Sequence, residues 1–251
     1  MQIEGLPQDK TIGVLGGLGP EATLDFFAKL LAHTKASTDQ EHIRVLIDNN
    51  PKVPNRNLAI MGRGPSPGPI LAHMASDLER SGADFIVMAC HTAHHYEKEI
   101  RAALTIPFVS MVTETCDELA RECPGARSVG VLAVDGCRHS RLYDNALAQS
   151  GYRVLALDEG DQKEFMSLVY AIKQGDKSER VTRSMRELGE HLANEGAELV
   201  IAACTEVPLV VGENDLPCTL IDSTDVLARR CVDYARGEAE LPRRRNLRSA
   251  S

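Results

Sequence analysis

The chain contains itself twice, and no other feature restricts its fold as tightly. Ile12-Gly13-Val14-Leu15-Gly16 is answered by Val129-Gly130-Val131-Leu132-Ala133, an offset of 117 residues from Ile12 to Val129. The run from Gly82 to Cys90 is answered by the run from Gly196 to Cys204 at an offset of 114. Ile106-Pro107 and Leu216-Pro217 form a third pair at an offset of 110, each followed by a strand pattern and then by Thr113 or Ser223. Buried strands often look alike, but three landmarks in one order, drifting by a few residues, are what loop changes between duplicated halves produce.

Short β-branched runs alternate with amphipathic stretches. Strands are expected at 11–15, 44–47 and 84–88, and again at 128–132, 153–157 and 198–202. Helical period is clearest over 22–32, 142–149 and 180–192. Such alternation implies an α/β fold with parallel sheets covered by helices. Duplication makes it two pseudo-symmetric domains, each a small parallel sheet flanked by helices. The second half ends near Ile221, and the helix expected over 224–234 crosses back onto the first. That assigns 1–111 plus 222–251 to one domain and 112–221 to the other. Gly237 to Ser251, with Arg243, Arg244, Arg245 and Arg248, reads as a frayed basic tail.

The repeat places Cys90 and Cys204 at equivalent points, each just past a central strand, where ligands of open α/β sheets collect. Inverting a stereocentre needs a proton removed from one face and another delivered to the opposite face. Each group must act as base in one protonation state and as acid in the other. A thiol, with an ordinary pKa near 8.5, suits both roles near neutrality. Two halves with one thiol each form such a pair. The plainer reading of both is buried strand-end packing. Cys116 and Cys231 fall in amphipathic helix patterns and read as core.

Composition narrows the setting. A formal net charge of −8 argues against broad nucleic-acid binding. No run of eighteen apolar residues exists, so no membrane-spanning helix is expected, and Met1 to Asp9 lacks the pattern of a secretory leader. Seven cysteines in a chain of 251 residues read as reduced thiols in a cytoplasm.

The motifs around these cysteines resemble those of the aspartate/glutamate racemase family. Ile12 through Pro20 looks like the opening of aspartate racemases, and Cys90-His91-Thr92-Ala93-His94 resembles their first catalytic segment, with His91 where Asn is usual. Ala203-Cys204-Thr205-Glu206-Val207-Pro208-Leu209 resembles the second. The resemblance runs from about Ile12 to Tyr234. It implies a racemase of the Asp/Glu/hydantoin superfamily, often dimeric, needing neither pyridoxal phosphate nor metal and acting on an amino-acid dicarboxylate. It also implies that Arg56 and Lys173 hold substrate carboxylates, with Asn57 where the family more often has Thr. Thr92 and Thr205 are expected to hydrogen-bond a carboxylate or a thiolate, His91 to touch substrate, and Glu206 to orient a base or bind the amino group.

Other signals carry less. Gly17-Leu18-Gly19-Pro20-Glu21-Ala22 fits a loose dinucleotide fingerprint, but Glu21 would oppose a pyrophosphate, so the glycines, Gly17 among them, are read as letting backbone amides approach a carboxylate. His91 and His95 have zinc-like i, i+4 spacing, yet no second ligand cluster accompanies them, and His94 reads as a capping or packing residue. No cofactor is therefore expected. Gly62 to Pro69 is a flexible connector or a lid. Two other functions fit the same scaffold: a maleate isomerase or arylmalonate-decarboxylase-like enzyme, and a non-catalytic amino-acid binding protein.

Overall fold

The computed structural model describes residues 9–242, so the arginines from 243 onward lie outside the described residues. Eight strands form two separate four-stranded parallel sheets. The first contains β1 (Ile12–Gly16), β2 (Val45–Asn49), β3 (Phe85–Met88) and β4 (Phe108–Val109), in the order β2-β1-β3-β4. The second contains β5 (Ser128–Leu132), β6 (Arg153–Ala156), β7 (Leu199–Ala202) and β8 (Thr219–Asp222), in the order β6-β5-β7-β8. The two orders are the same path drawn twice.

Among the described residues, ten α-helices connect and cover these strands: α1 (Pro20–Thr34), α2 (Arg56–Ile60), α3 (Gly68–Arg80), α4 (Glu97–Ala102), α5 (Met111–Glu122), α6 (Asp135–His139), α7 (Leu142–Gln149), α8 (Glu159–Lys173), α9 (Glu179–Asn194) and α10 (Ser223–Arg236). Helix α5 carries the chain from the first sheet to the second. Helix α10 returns from β8 and lays Leu227, Ala228 and Cys231 against Ile12, Val14, Phe26 and Phe85. The other face of the first sheet packs on α3 and α4 through Leu71, Met74, Leu78 and Ile100.

Local chemistry explains why the repeat was legible. Gly13 on β1 and Gly130 on β5 sit where a helix comes close. A Cβ at Gly13 would lie 2.5 Å from Ile86 Cδ1 and 2.9 Å from Ala83 Cβ, and one at Gly130 would lie 3.1–3.2 Å from Leu192, Val200 and Ala197. The Gly-Ala-acid triplet before each central strand is likewise a working unit. Gly82 and Gly196 adopt φ of +95° and +98°, which strongly favours glycine. Asp84 then accepts the Thr11 N–H at 2.6 Å, and Glu198 accepts those of Arg127 at 2.5 Å and Ser128 at 2.9 Å. Each acid satisfies a donor at the head of the neighbouring strand that the ladder leaves open.

Candidate active site

Strands β3 and β7 end two residues before Cys90 and Cys204. Both cysteines are 6 % exposed, and both line one small cavity of ≈ 90 Å³ between the two sheets. Wider clefts lie elsewhere, one of ≈ 710 Å³ beside β8 and one of ≈ 490 Å³ beside α6 and α7. Neither contains Cys90 or Cys204, so the small cavity is where this pair of thiols can reach one ligand.

On the Cys204 side the groups are charged. The Cys204 thiol donates to Glu206 Oε2 at 3.0 Å, Thr205 Oγ1 donates to the same oxygen at 3.4 Å, and Lys173 at the end of α8 pairs with Glu206 Oε1. Burial and the Glu206 charge push the Cys204 thiol well above its ordinary range, with Lys173 pulling the other way. Burial opposes the charge of Lys173, but the Glu206 carboxylate, together with any negative charge on the sulfurs of Cys204 and Cys90, outweighs it and raises its pKa.

On the Cys90 side the residues that follow the thiol are neutral. His91 and Thr92 line the cavity, 2 % and 6 % exposed. The His91 ring meets Tyr143 Oη of α7 through Nδ1 at 2.9 Å. Burial holds its pKa down to about 3, so the ring is uncharged near neutrality. His94 lies beneath. The Met111 N–H donates to its Nε2 at 3.1 Å, so the proton sits on Nδ1 and is donated to the Cys90 carbonyl at 2.8 Å. That bond ties the Cys90 turn to the start of α5. His95, by contrast, is exposed, on a 3₁₀ turn over Thr92–Tyr96.

The cavity is walled by a crossed arrangement. A Cβ at Gly19 would meet Glu206 Oε1 at 2.9 Å and Lys173 Nζ at 3.3 Å. A Cβ at Gly136, the residue 117 positions on from Gly19, would meet Asn57 Oδ1 at 2.5 Å and Thr92 Cγ2 at 3.1 Å. The Gly136 N–H also donates to Asn57 Oδ1 at 3.0 Å. Asn57 and Thr92 therefore occupy, on one side, the places that Lys173 and Glu206 occupy on the other.

Arg56 lines the cavity from the first turn of α2, and its guanidinium is held by carbonyls: Leu18, Pro54 at 3.2 Å and Val53 at 3.4 Å. One expectation needs correction. Gly17 does not reach the cavity; its N–H donates to Thr23 Oγ1 at 2.9 Å. Glycine is needed there for a φ of +81° and because the Asn50 backbone would lie 2.4 Å from a Cβ. The Gly62–Pro69 connector is also absent from the cavity wall.

Reasoning from sequence passed over Leu18, Asn55, Val134 and Tyr170, which complete the lining. Tyr170 was within reach, since it stands one helical turn before Lys173 on α8 and so shares its face. Tyr143, buried behind His91, gave no local signal.

Comparison with known proteins agrees with this geometry. The Asp/Glu/hydantoin racemase family model matches residues 15–231. The chain is 30% identical over 229 residues to the broad specificity amino-acid racemase RacX of Bacillus subtilis, covering 88% of this chain and 96% of that one. The aspartate racemase structure from Picrophilus torridus superposes with a TM-score of 0.81 at 28% identity, over 91% of this chain and 94% of that chain. A glutamate racemase structure from Bacillus anthracis shares the fold, with a TM-score of 0.62 at 18% identity over 94% of this chain and 85% of that one. Two sheets of one topology, a thiol from each in a common cavity, and these matches have one reading: the chain belongs to the Asp/Glu/hydantoin racemase family.

Proposed function

We propose that the protein interconverts the L and D forms of aspartate or glutamate without a cofactor, using Cys90 and Cys204 as acid and base on opposite faces of Cα. The observation that carries this reading is the shared cavity: two thiols from equivalent strand ends, with Arg56 and Lys173 beside them. In one direction a Cys90 thiolate removes the α-proton and the Cys204 thiol delivers its own to the other face. Forward turnover leaves Cys90 protonated and Cys204 as thiolate, the state from which the reverse direction starts. The resting enzyme reaches that state when Cys204 passes its proton to Glu206, which already accepts the S–H, while Cys90 takes up a proton from solvent; Lys173 stabilises the Cys204 thiolate. The developing charge at Cα spreads into the α-carboxylate. Among the buried thiols, His91 and Thr205 of this cavity the local dielectric is lower than that of bulk water, so Arg56 opposes that charge more strongly than it would in solvent.

A second carboxylate on the substrate is met by Lys173, which shares its ammonium between that group and Glu206. Thr92 and Thr205 supply hydroxyl donors on either side. Seven free thiols suit a reducing compartment, and among the described residues no helix is long and apolar enough to cross a membrane.

The test is exchange in deuterium oxide without added cofactor. Each enantiomer of aspartate and glutamate should acquire α-deuterium, and chiral chromatography should show inversion. Cys90→Ser and Cys204→Ser should each cost at least about 10²-fold in racemisation, the scale of losing an acid–base group. Each should retain exchange of only one enantiomer. Normal racemisation in both variants would rule the mechanism out, and turnover of maleate with none of the amino acids would move the chain to the isomerase branch.

A further inference from the structure

His91 stands where the resembled family carries Asn, and its surroundings show what a ring in that position needs. Three buried groups form a chain that runs through both sheets' territory: His91 after β3, Tyr143 on α7 and Ser223 at the start of α10. They are 2 %, 2 % and 0 % exposed. Tyr143 Oη lies 2.9 Å from His91 Nδ1 and 3.4 Å from Ser223 Oγ. A phenol has one proton, and the better acceptor at the shorter distance is the imidazole nitrogen. Tyr143 therefore donates to His91 Nδ1, and Ser223 donates to Tyr143.

That direction fixes the other end of the ring. With Nδ1 accepting, the proton resides on Nε2, and Nε2 is a buried polar atom with no hydrogen-bond partner in the protein. The Ala202 carbonyl is close enough to favour a protonated ring but makes no well-formed bond with Nε2. That leaves, on a residue lining the Cys90 side of the cavity, an N–H whose nearest protein acceptor, the Ala202 carbonyl, is poorly placed to satisfy it.

The repeat shows that this chain was built on one side only. At the 117-residue offset the counterpart of Tyr143 is Phe26, buried on α1 without a hydroxyl, and the counterpart of His91 at the 114-residue offset is Thr205. Nothing in the duplicated fold requires a tyrosine at this point of α7; the hydroxyl answers His91.

We infer that Tyr143, backed by Ser223, is a positioning residue that holds His91 as a neutral Nε2–H donor toward a carboxylate oxygen of the substrate on the Cys90 face. The inference rests on the two-thiol reading above. It separates the roles on the first cysteine segment: Cys90 moves the proton, His91 holds the carboxylate, and Tyr143 sets which nitrogen of His91 can do so.

A double-mutant cycle tests it. Tyr143→Phe should lower kcat/KM for racemisation about 10-fold in the natural background and less than 2-fold when His91→Asn is already present. Melting temperatures of all four proteins separate folding from positioning. The effect should also be one-sided. Cys90→Ser identifies the enantiomer that Cys90 deprotonates, as the one whose deuterium exchange is lost, and Tyr143→Phe should slow that enantiomer's exchange more than the other's. Ser223→Ala is the gentler companion, expected to act in the same direction, more weakly, and again only where His91 is present. Equal losses in both backgrounds, or equal slowing of both enantiomers, would make Tyr143 a packing residue and overturn the inference while leaving the two-thiol mechanism intact. Persistence of both exchanges in Cys90→Ser and Cys204→Ser would instead overturn the mechanism, and this inference with it.

Discussion

Cys204 gives its S–H to Glu206, two residues further along the same turn, at 3.0 Å. The acceptor is thus fixed to the donor by the shortest of backbone segments, and the thiol is held protonated by the group that would take its proton. No such carboxylate follows Cys90, where Thr92 occupies the corresponding place. The two thiols are equivalent in the fold and unequal in chemistry.

This inequality predicts opposite effects on reactivity and on turnover. Removing the Glu206 charge lowers the Cys204 pKa, because after burial that charge is the largest cause holding it up. Glu206→Gln should therefore speed iodoacetamide labelling of Cys204 about 10-fold or more at pH 7.5, one pKa unit being a factor of ten in thiolate. The same variant should slow racemisation. Lys173→Met should slow labelling, since Lys173 is the neighbour that stabilises the thiolate. Mass spectrometry of the labelled peptide reads both; slower labelling in Glu206→Gln would contradict the assignment.

Acid stability should depend on His91. Its folded pKa, about 3, lies below the ordinary value of 6.5, so between these limits the unfolded chain binds a proton that the folded chain refuses. Stability then rises with pH across that window and is lost as pH falls through it, by up to about 1.4 kcal/mol per pH unit. Urea titrations of the wild type between pH 6.5 and 4.5 should show that slope, and His91→Asn should flatten it. His94 is also held low, so a residual slope should remain. The racemisation profile between pH 5 and 8 should show no inflection that His91→Asn removes.

The two strand glycines offer a graded stability test. At Gly13 the obstructing Ala83 Cβ, at 2.9 Å, has no rotamer to escape into, whereas the contacts at Gly130 begin at 3.1 Å. Gly13→Ala should cost about 1–3 kcal/mol in urea unfolding, the usual scale of overpacking, and Gly130→Ala less. A larger loss at Gly130 would mean that the second sheet is the less yielding one.

Arg56→Lys keeps the charge and loses the fork. The guanidinium is aimed by three carbonyls at once, and an ammonium cannot satisfy them while facing the cavity. KM for the amino acid should rise about 10-fold with a smaller change in kcat. An unchanged KM would remove Arg56 from substrate binding.

The fold was legible because its constraints recur. Gly13 and Gly130, Asp84 and Glu198, and Cys90 and Cys204 each repeat a local physical need, so the sequence shows it twice. Lys173 and Arg56 were visible only through the family resemblance, since one charged residue on a helix looks like any other. Gly17 misled because a positive φ and an exposed amide leave the same mark in sequence. Tyr143 left no local mark: its partner His91 lies 52 residues away, on an element of the other sheet. Departures from the repeat were the missing signal, and Tyr143 opposite Phe26 is one of them.

Gly19 touching Glu206 and Gly136 touching Thr92 makes each copy of the duplication a wall of the other's chamber. An alteration in either loop is felt first by the opposite cysteine segment, not by its own. A gain of bulk at this seam must therefore be answered across it, a demand that surface and loop length elsewhere in each copy do not face.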